Sequence, residues 1–142
     1  MLPPDTASHV NVKAIVYFYE SALGKRFCNA EKAFRFREMP FMVKLDSHVL
    51  DASLPKGEKS ILVQGIIDCL WKEADGWVLV DYKSDRIAPN EAVQELNRRY
   101  AAQLRMYRYA VEQILGEPVK ECYFYLLSQN RIIPLIENEK TN

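Results

Sequence analysis

The chain has 142 residues, enough for one domain with a sizeable core, and its 49% hydrophobic and 27% charged content is ordinary for a soluble globular protein. Its 19 basic and 19 acidic side chains cancel, so the chain as a whole is not a polybasic nucleic-acid binder, and any DNA contact must rest on local charge. No secretory signal, membrane-spanning run, internal repeat or low-complexity segment is visible, and the sequence reads as cytoplasmic, with no membrane contact.

In chain order, residues 1–11 hold Pro3, Pro4, Asp5 and Thr6 and read as a linker or loose arm before a single domain over 12–137. Residues 12–31 read as helical, with Val16, Tyr19, Leu23 and Phe27 at spacings of three and four and Gly24 interrupting. Residues 34–45 read as a long strand in which Phe34, Phe36 and Glu38 alternate with Arg35, Arg37 and Met39; Pro40 implies an edge strand or a bulge. Residues 46–59, rich in Asp, Ser, Pro, Gly and Lys, form a loop expected to move, and His48 within it is expected to be solvated. Strands follow over 60–72 and 77–83. Between them Glu73-Ala74-Asp75-Gly76 has hairpin chemistry, because Asp-Gly tolerates positive φ. A loop over 87–95 overlaps the start of a helix over 91–115, which Asn90 or a neighbour caps and Gly116 ends. Strands over 122–127 and 131–136 and a loose tail over 138–142 complete the chain. The order αβββαββ predicts an α/β fold with a mixed central sheet flanked by helices.

The residues with chemical potential lie at the strand ends. Asp68 sits inside an apolar run, where an unpaired carboxylate is costly unless it is paired or binds metal. Asp81 and Lys83 end the next strand, and strand alternation points them to one face and Tyr82 to the other. Two acids can hold a hard divalent cation through oxygen, and a lysine beside them can orient water or stabilise phosphate charge. Solvated charges at strand ends are the plainer alternative. Gly65 inside the strand suggests a bulge or the close approach of another backbone. Gln103 and Tyr107, four apart on the long helix, share one face; Tyr107 could equally belong to the apolar stripe with Leu104 and Val111. Glu38 reads either as a carboxylate facing the site or as a strand-edge residue paired with Arg37 or a lysine. Asp85 is expected to pair with Arg86 or steady the following loop. Arg98, Arg105 and Arg108, with Lys83, Arg86 and Arg99, offer a local cationic face for DNA or a plain solvated helix face. Cys28, Cys69 and Cys122 have no metal-ligand spacing and read as reduced core thiols.

Gly65-x-x-Asp68, Asp81-Tyr82-Lys83-Ser84 and Gln103-x-x-x-Tyr107, in this order, resemble the RecB-type nuclease branch of the PD-(D/E)XK superfamily. Phe18-Tyr19-Glu20-Ser21-Ala22-Leu23-Gly24, Arg37-Glu38-Met39-Pro40-Phe41 and Val80-Asp81-Tyr82-Lys83-Ser84-Asp85-Arg86 are similar to the C-terminal nuclease domains of the A-type subunits of AddAB (RexAB) helicase–nucleases. The resemblance spans about residues 12–134. It implies a restriction-endonuclease-like core. It implies a Mg²⁺-dependent site, Mn²⁺ also being possible, in which Asp68, Asp81 and the backbone carbonyl of Tyr82 hold the metal and Lys83 is catalytic. Gln103 and Tyr107 would border that site and orient the lysine or contact DNA. It also implies a bacterial DNA-repair setting: single-stranded DNA as substrate, a helicase region in the same chain, and a B-type partner subunit. Relatives in this branch can carry an iron–sulfur cluster on four cysteines; three scattered cysteines argue against one here. Members usually add a metal-site residue, often His, from an upstream helix. His9 is a weak match for it, so the chain reads as a fragment of a larger protein. The competing readings are a catalytically incomplete module of the same fold that grips DNA or a partner, and a structural α+β domain with solvated acids.

Overall fold

The computed structural model describes residues 4–57 and 59–137, with the side chains of residues 4–11 and 50 outside the described ones. The elements are α1 (Pro4–Glu20), α2 (Ala22–Asn29), β1 (Arg35–Asp46), α3 (Ser47–Leu50), β2 (Ser60–Glu73), β3 (Gly76–Lys83), α4 (Ala92–Leu115), β4 (Val119–Leu126) and β5 (Arg131–Pro134). The strands form one five-stranded sheet in the order β1-β2-β3-β4-β5. The β1–β2, β2–β3 and β4–β5 pairs are antiparallel, and β3–β4 is parallel because α4 carries the chain across between them. This is the mixed α/β sheet with flanking helices that the order of predicted elements implied.

Helices cover the sheet on both faces, so its strands carry apolar side chains to both sides. On one face α4 supplies Leu96, Leu104 and Val111 to a core with Phe41, Ile67, Leu70, Leu79 and Phe124. On the other, Phe18, Leu23 and Phe27 of α1 and α2 meet Cys69, Trp71, Val78, Val80 and Tyr125. Buried Asn97 pins the end of β5 to α4: its amide donates to the carbonyls of Val93 and Pro134 and accepts from the N–H of Ile136.

Several local expectations need correction. Helix α1 begins at Pro4, so most of the stretch read as a loose arm has helical backbone. His9 lies in the part of α1 whose side chains are outside the described ones, and the tail over 138–142 lies outside the described residues. The break between α1 and α2 falls at Ser21, whose side chain caps α2 by accepting from the N–H of Gly24. Gly24 is instead where the helices touch, since a Cβ there would sit 2.1 Å from the carbonyl oxygen of Phe18. Phe34 belongs to a 3₁₀ turn rather than to β1. The segment read as a mobile loop contains α3, capped by Asp46, whose carboxylate also accepts from the N–H of Gly57. His48 is half-buried and bonds the carbonyl of Leu54. Neither Asn90 nor a neighbour caps α4 with a side chain. The loop before α4 is tied down, with Ser128, Gln129 and Arg131 donating to the carbonyls of Asp85, Ile87 and Pro89. Strand β4 starts at Val119, ahead of the expected Cys122, and Cys28 is exposed rather than in the core. Pro40 does lie on an edge strand, β1.

Candidate active site

Strands β2 and β3 are joined by the two-residue turn Ala74-Asp75 and pair from Glu73–Gly76 as far as Cys69–Val80. Beyond that they part. β3 continues to pair with β4 through Lys83–Leu126, while β2 stays with β1. Asp68, Asp81 and Lys83 stand at this fork. The Asp68 carboxylate fills the gap in the ladder, its Oδ2 accepting from the N–H of Tyr82 at 2.7 Å. In an extended strand the N–H and C=O of one residue point to the same side, so Tyr82 turns its carbonyl toward β2 as well. The next carbonyl, of Lys83, faces β4 and accepts from the N–H of Leu127.

An irregularity on both strands frees Asp68. Arg37 pairs with Cys69 and Met39 with Ile67, leaving Glu38 and Asp68 facing each other outside the ladder. Phe36 and Met39 both pack on the α4 side of the sheet, and so do Ile67 and Leu70, which unbroken alternation would forbid. Glu38 makes the shift with φ of 50°, in the left-handed region that a side chain seldom adopts. The simple alternation expected for β1 therefore fails at Glu38. That residue is exposed and, with Asp68, Arg37 and Tyr82, lines a cavity of about 580 Å³ on the α1 side.

On the α4 side, the Lys83 ammonium lies 3.0 Å from Asp81 Oδ2, donates to Gln103 Oε1 at 3.0 Å, and sits 4.0 Å from the centre of the Tyr100 ring. Asp81 is 8% exposed overall, so this pair is largely withdrawn from water. Tyr107 lies edge-on to Phe41 and close enough to the two acids that their charge, after burial, raises its pKa. It reaches this position because of Gly65: a Cβ there would fall 2.5 Å from the Tyr107 hydroxyl. What approaches Gly65 is thus a side chain rather than the backbone expected. The glycine of Gly65-x-x-Asp68 and the tyrosine of Gln103-x-x-x-Tyr107 form one contact.

Electrostatics set the fork apart. Burial, followed by the proximity of Asp81, pushes the Asp68 carboxyl up to about 7, although the Tyr82 N–H opposes this. The donors facing the gap are hard oxygens of the kind Mg²⁺ and Mn²⁺ prefer, and a cation there would relieve the repulsion between the acids. The residues present therefore fit a divalent metal. Among the described residues no group of three or more His, Cys, Asp or Glu side chains is gathered tightly enough to hold a metal unaided.

Three of the four arginines of α4 are paired with acids. Arg98 pairs with Glu95, Arg99 with Asp85, and Arg108 with Glu137, while Arg105 donates to the carbonyl of Ile136. Asp85 thus takes Arg99 and the Tyr100 hydroxyl, not Arg86, as partners. The spacing of Tyr100, four before Leu104, fits the apolar stripe, and nothing in the sequence reading singled out its ring beneath Lys83. Its position three residues before Gln103, on the same helix face, was the available signal.

Comparison with known proteins gives the family. Residues 14–140 match the family model of the PD-(D/E)XK nuclease superfamily. The chain is 43% identical over 130 residues to the A-type subunit of the ATP-dependent helicase/nuclease of Alkaliphilus metalliredigens, covering 89% of this chain and 10% of that protein. It is 39% identical over 134 residues to the protein of the same name from Desulforamulus reducens, and 38% identical over 135 residues to that from Thermoanaerobacter sp. (strain X514), in each case over 94% of this chain. It spans 10% of the former protein and 11% of the latter, so about a tenth of the length of these relatives. With the family match running through α1, the sheet and α4, and the motif residues gathered at the β2–β3 fork, the chain belongs to the PD-(D/E)XK nuclease superfamily.

Proposed function

We propose that this chain is the nuclease domain of a bacterial DNA-repair helicase–nuclease, hydrolysing phosphodiester bonds of single-stranded DNA with Mg²⁺ or Mn²⁺. The observation that carries this is the convergence of Asp68, Asp81 and Lys83 at one fork, with Gln103 on the lysine. Asp68, Asp81 and the Tyr82 carbonyl would hold the metal. When bound, the metal lowers the pKa of water and polarises the phosphate. Lys83, fixed between Asp81 and Gln103, positions the attacking water or balances charge that builds on the phosphate. Tyr107 walls the site from the α4 side, edge-on to Phe41. Glu38 borders the cavity that leads to Asp68. The name these relatives carry, a helicase and nuclease in one, supports a helicase region in the same protein. The bacterial cytoplasm and a B-type partner complete the setting; no helix of the described residues is long and apolar enough to cross a membrane.

The second reading is a module of the same fold that grips DNA or a partner without cutting it. The small acidic donor set favours it. Cleavage of labelled single-stranded DNA with Mg²⁺ separates the two. The assay uses the intact helicase–nuclease proposed to carry this domain, with any nuclease of the B-type partner disabled. Asp81→Ala and Lys83→Ala should each lower the rate by at least about 10³-fold. Wild-type cleavage by both variants would leave the binding module as the better reading.

A further inference from the structure

The contacts of Lys83 do not end at Asp81 and Gln103. Its ammonium stands 4.0 Å from the centre of the Tyr100 ring, within reach of the ring's negative face. The ring is fixed at both ends. Its hydroxyl donates to the Asp85 carboxylate, at 2.8 Å to Oδ2 and 3.1 Å to Oδ1, and Asp85 is held in turn by Arg99 at 2.8 Å. Below, the ring rests against Phe124 at 6.4 Å between centroids. The lysine therefore has a charged partner, an amide acceptor and an aromatic floor. Only the floor is tied to the strand end just beyond Lys83, through Asp85.

We propose that Tyr100, braced by Asp85 and Arg99, is a positioning residue that holds the Lys83 ammonium over the fork. A lysine has a long flexible stem, and a contact that removes rotamers raises the fraction of time the amine spends where it acts. The ring does this through its π face, so it steadies the ammonium without setting a second anion beside it. Asp85 links the floor to β3, so ring and lysine move together. This rests on the catalytic reading of Lys83 given above, and the experiment separates the two.

The first measurement is lysine side-chain NMR of the metal-free chain. The Lys83 ε-methylene protons should resonate upfield of the other lysines because of the ring current. The shift should vanish in Tyr100→Leu and persist, reduced, in Tyr100→Phe, which keeps the ring but loses the Asp85 anchor. The second is single-stranded DNA cleavage in the intact helicase–nuclease. There Tyr100→Leu should lower kcat about tenfold with KM unchanged, and Tyr100→Phe should recover only part of the loss. A substitution that merely loosened the fold would move neither the Lys83 resonance alone nor kcat alone. Wild-type kcat in Tyr100→Leu beside an inactive Lys83→Ala would overturn the role of Tyr100 while leaving the lysine's intact. An unshifted Lys83 resonance in the wild type would overturn it as well. Full cleavage by Lys83→Ala would remove the reading beneath it.

Discussion

At the turn end of the β2–β3 hairpin, Arg26 bonds both Glu73 and Glu121, and Lys120 reaches Glu73 at 2.8 Å and Asp75 at 2.5 Å. At the fork end of the same two strands, Lys83 pairs with Asp81, and Asp68 has no ion pair among the described residues. The two ends respond in opposite directions. The Arg26 guanidinium holds Glu73 down at about 2, while burial and a like charge push Asp68 up to about 7. One end spends its charges on the fold. The other keeps an acidic excess in a half-buried gap, a strained arrangement of the kind that clusters at functional sites.

The largest expected contrast is functional. In the intact helicase–nuclease, Asp81→Ala at the fork should abolish DNA cleavage, while Glu73→Ala at the turn should leave cleavage near wild type; comparable losses from both would erase the distinction. The next contrast is in stability. Arg26→Ala leaves Glu73 and Glu121 with Lys120 as their remaining cation and should lower unfolding stability by about 1 kcal/mol, discounted for partial exposure, in denaturant titration. At the fork the sign reverses. Without metal, Asp68→Asn keeps an acceptor for the Tyr82 N–H and removes a poorly solvated charge, so it should raise stability at pH 7 by about 1 kcal/mol.

The smallest effect is the acid limb. Glu73 has a folded pKa of about 2 against an ordinary 4.5. Its contribution is therefore present in full above about 4.5 and is lost as pH falls toward 2. Glu73→Gln should flatten the fall in melting temperature across that window, and an unchanged slope would place the acid sensitivity elsewhere.

How much of this was legible in the sequence differs between the same two ends. The hairpin could be read from Asp75-Gly76 and two apolar runs, and the shared face of Asp81 and Lys83 from strand parity, because both are local rules. Asp68 could be singled out because a carboxylate in an apolar run is costly. The double irregularity at Glu38 and Asp68 could not be read, since alternation is assumed when faces are assigned. Nor could the Gly65–Tyr107 contact, which joins residues distant in sequence. The arginines of α4 had the composition of a DNA-binding face, yet Asp85 and Glu137, both outside the helix, take up Arg99 and Arg108. Tyr100 was hidden by its own spacing, which fits a core stripe equally well.

The most direct test of the fork as a metal-dependent nuclease site is calorimetric titration of the chain with Mg²⁺ and Mn²⁺, comparing wild type, Asp68→Asn, Asp81→Asn and the turn-end control Glu73→Gln. Saturable binding in the wild type and in Glu73→Gln, lost in both aspartate variants, is the expected result. Undiminished binding in both aspartate variants would contradict the assignment of the metal to the fork.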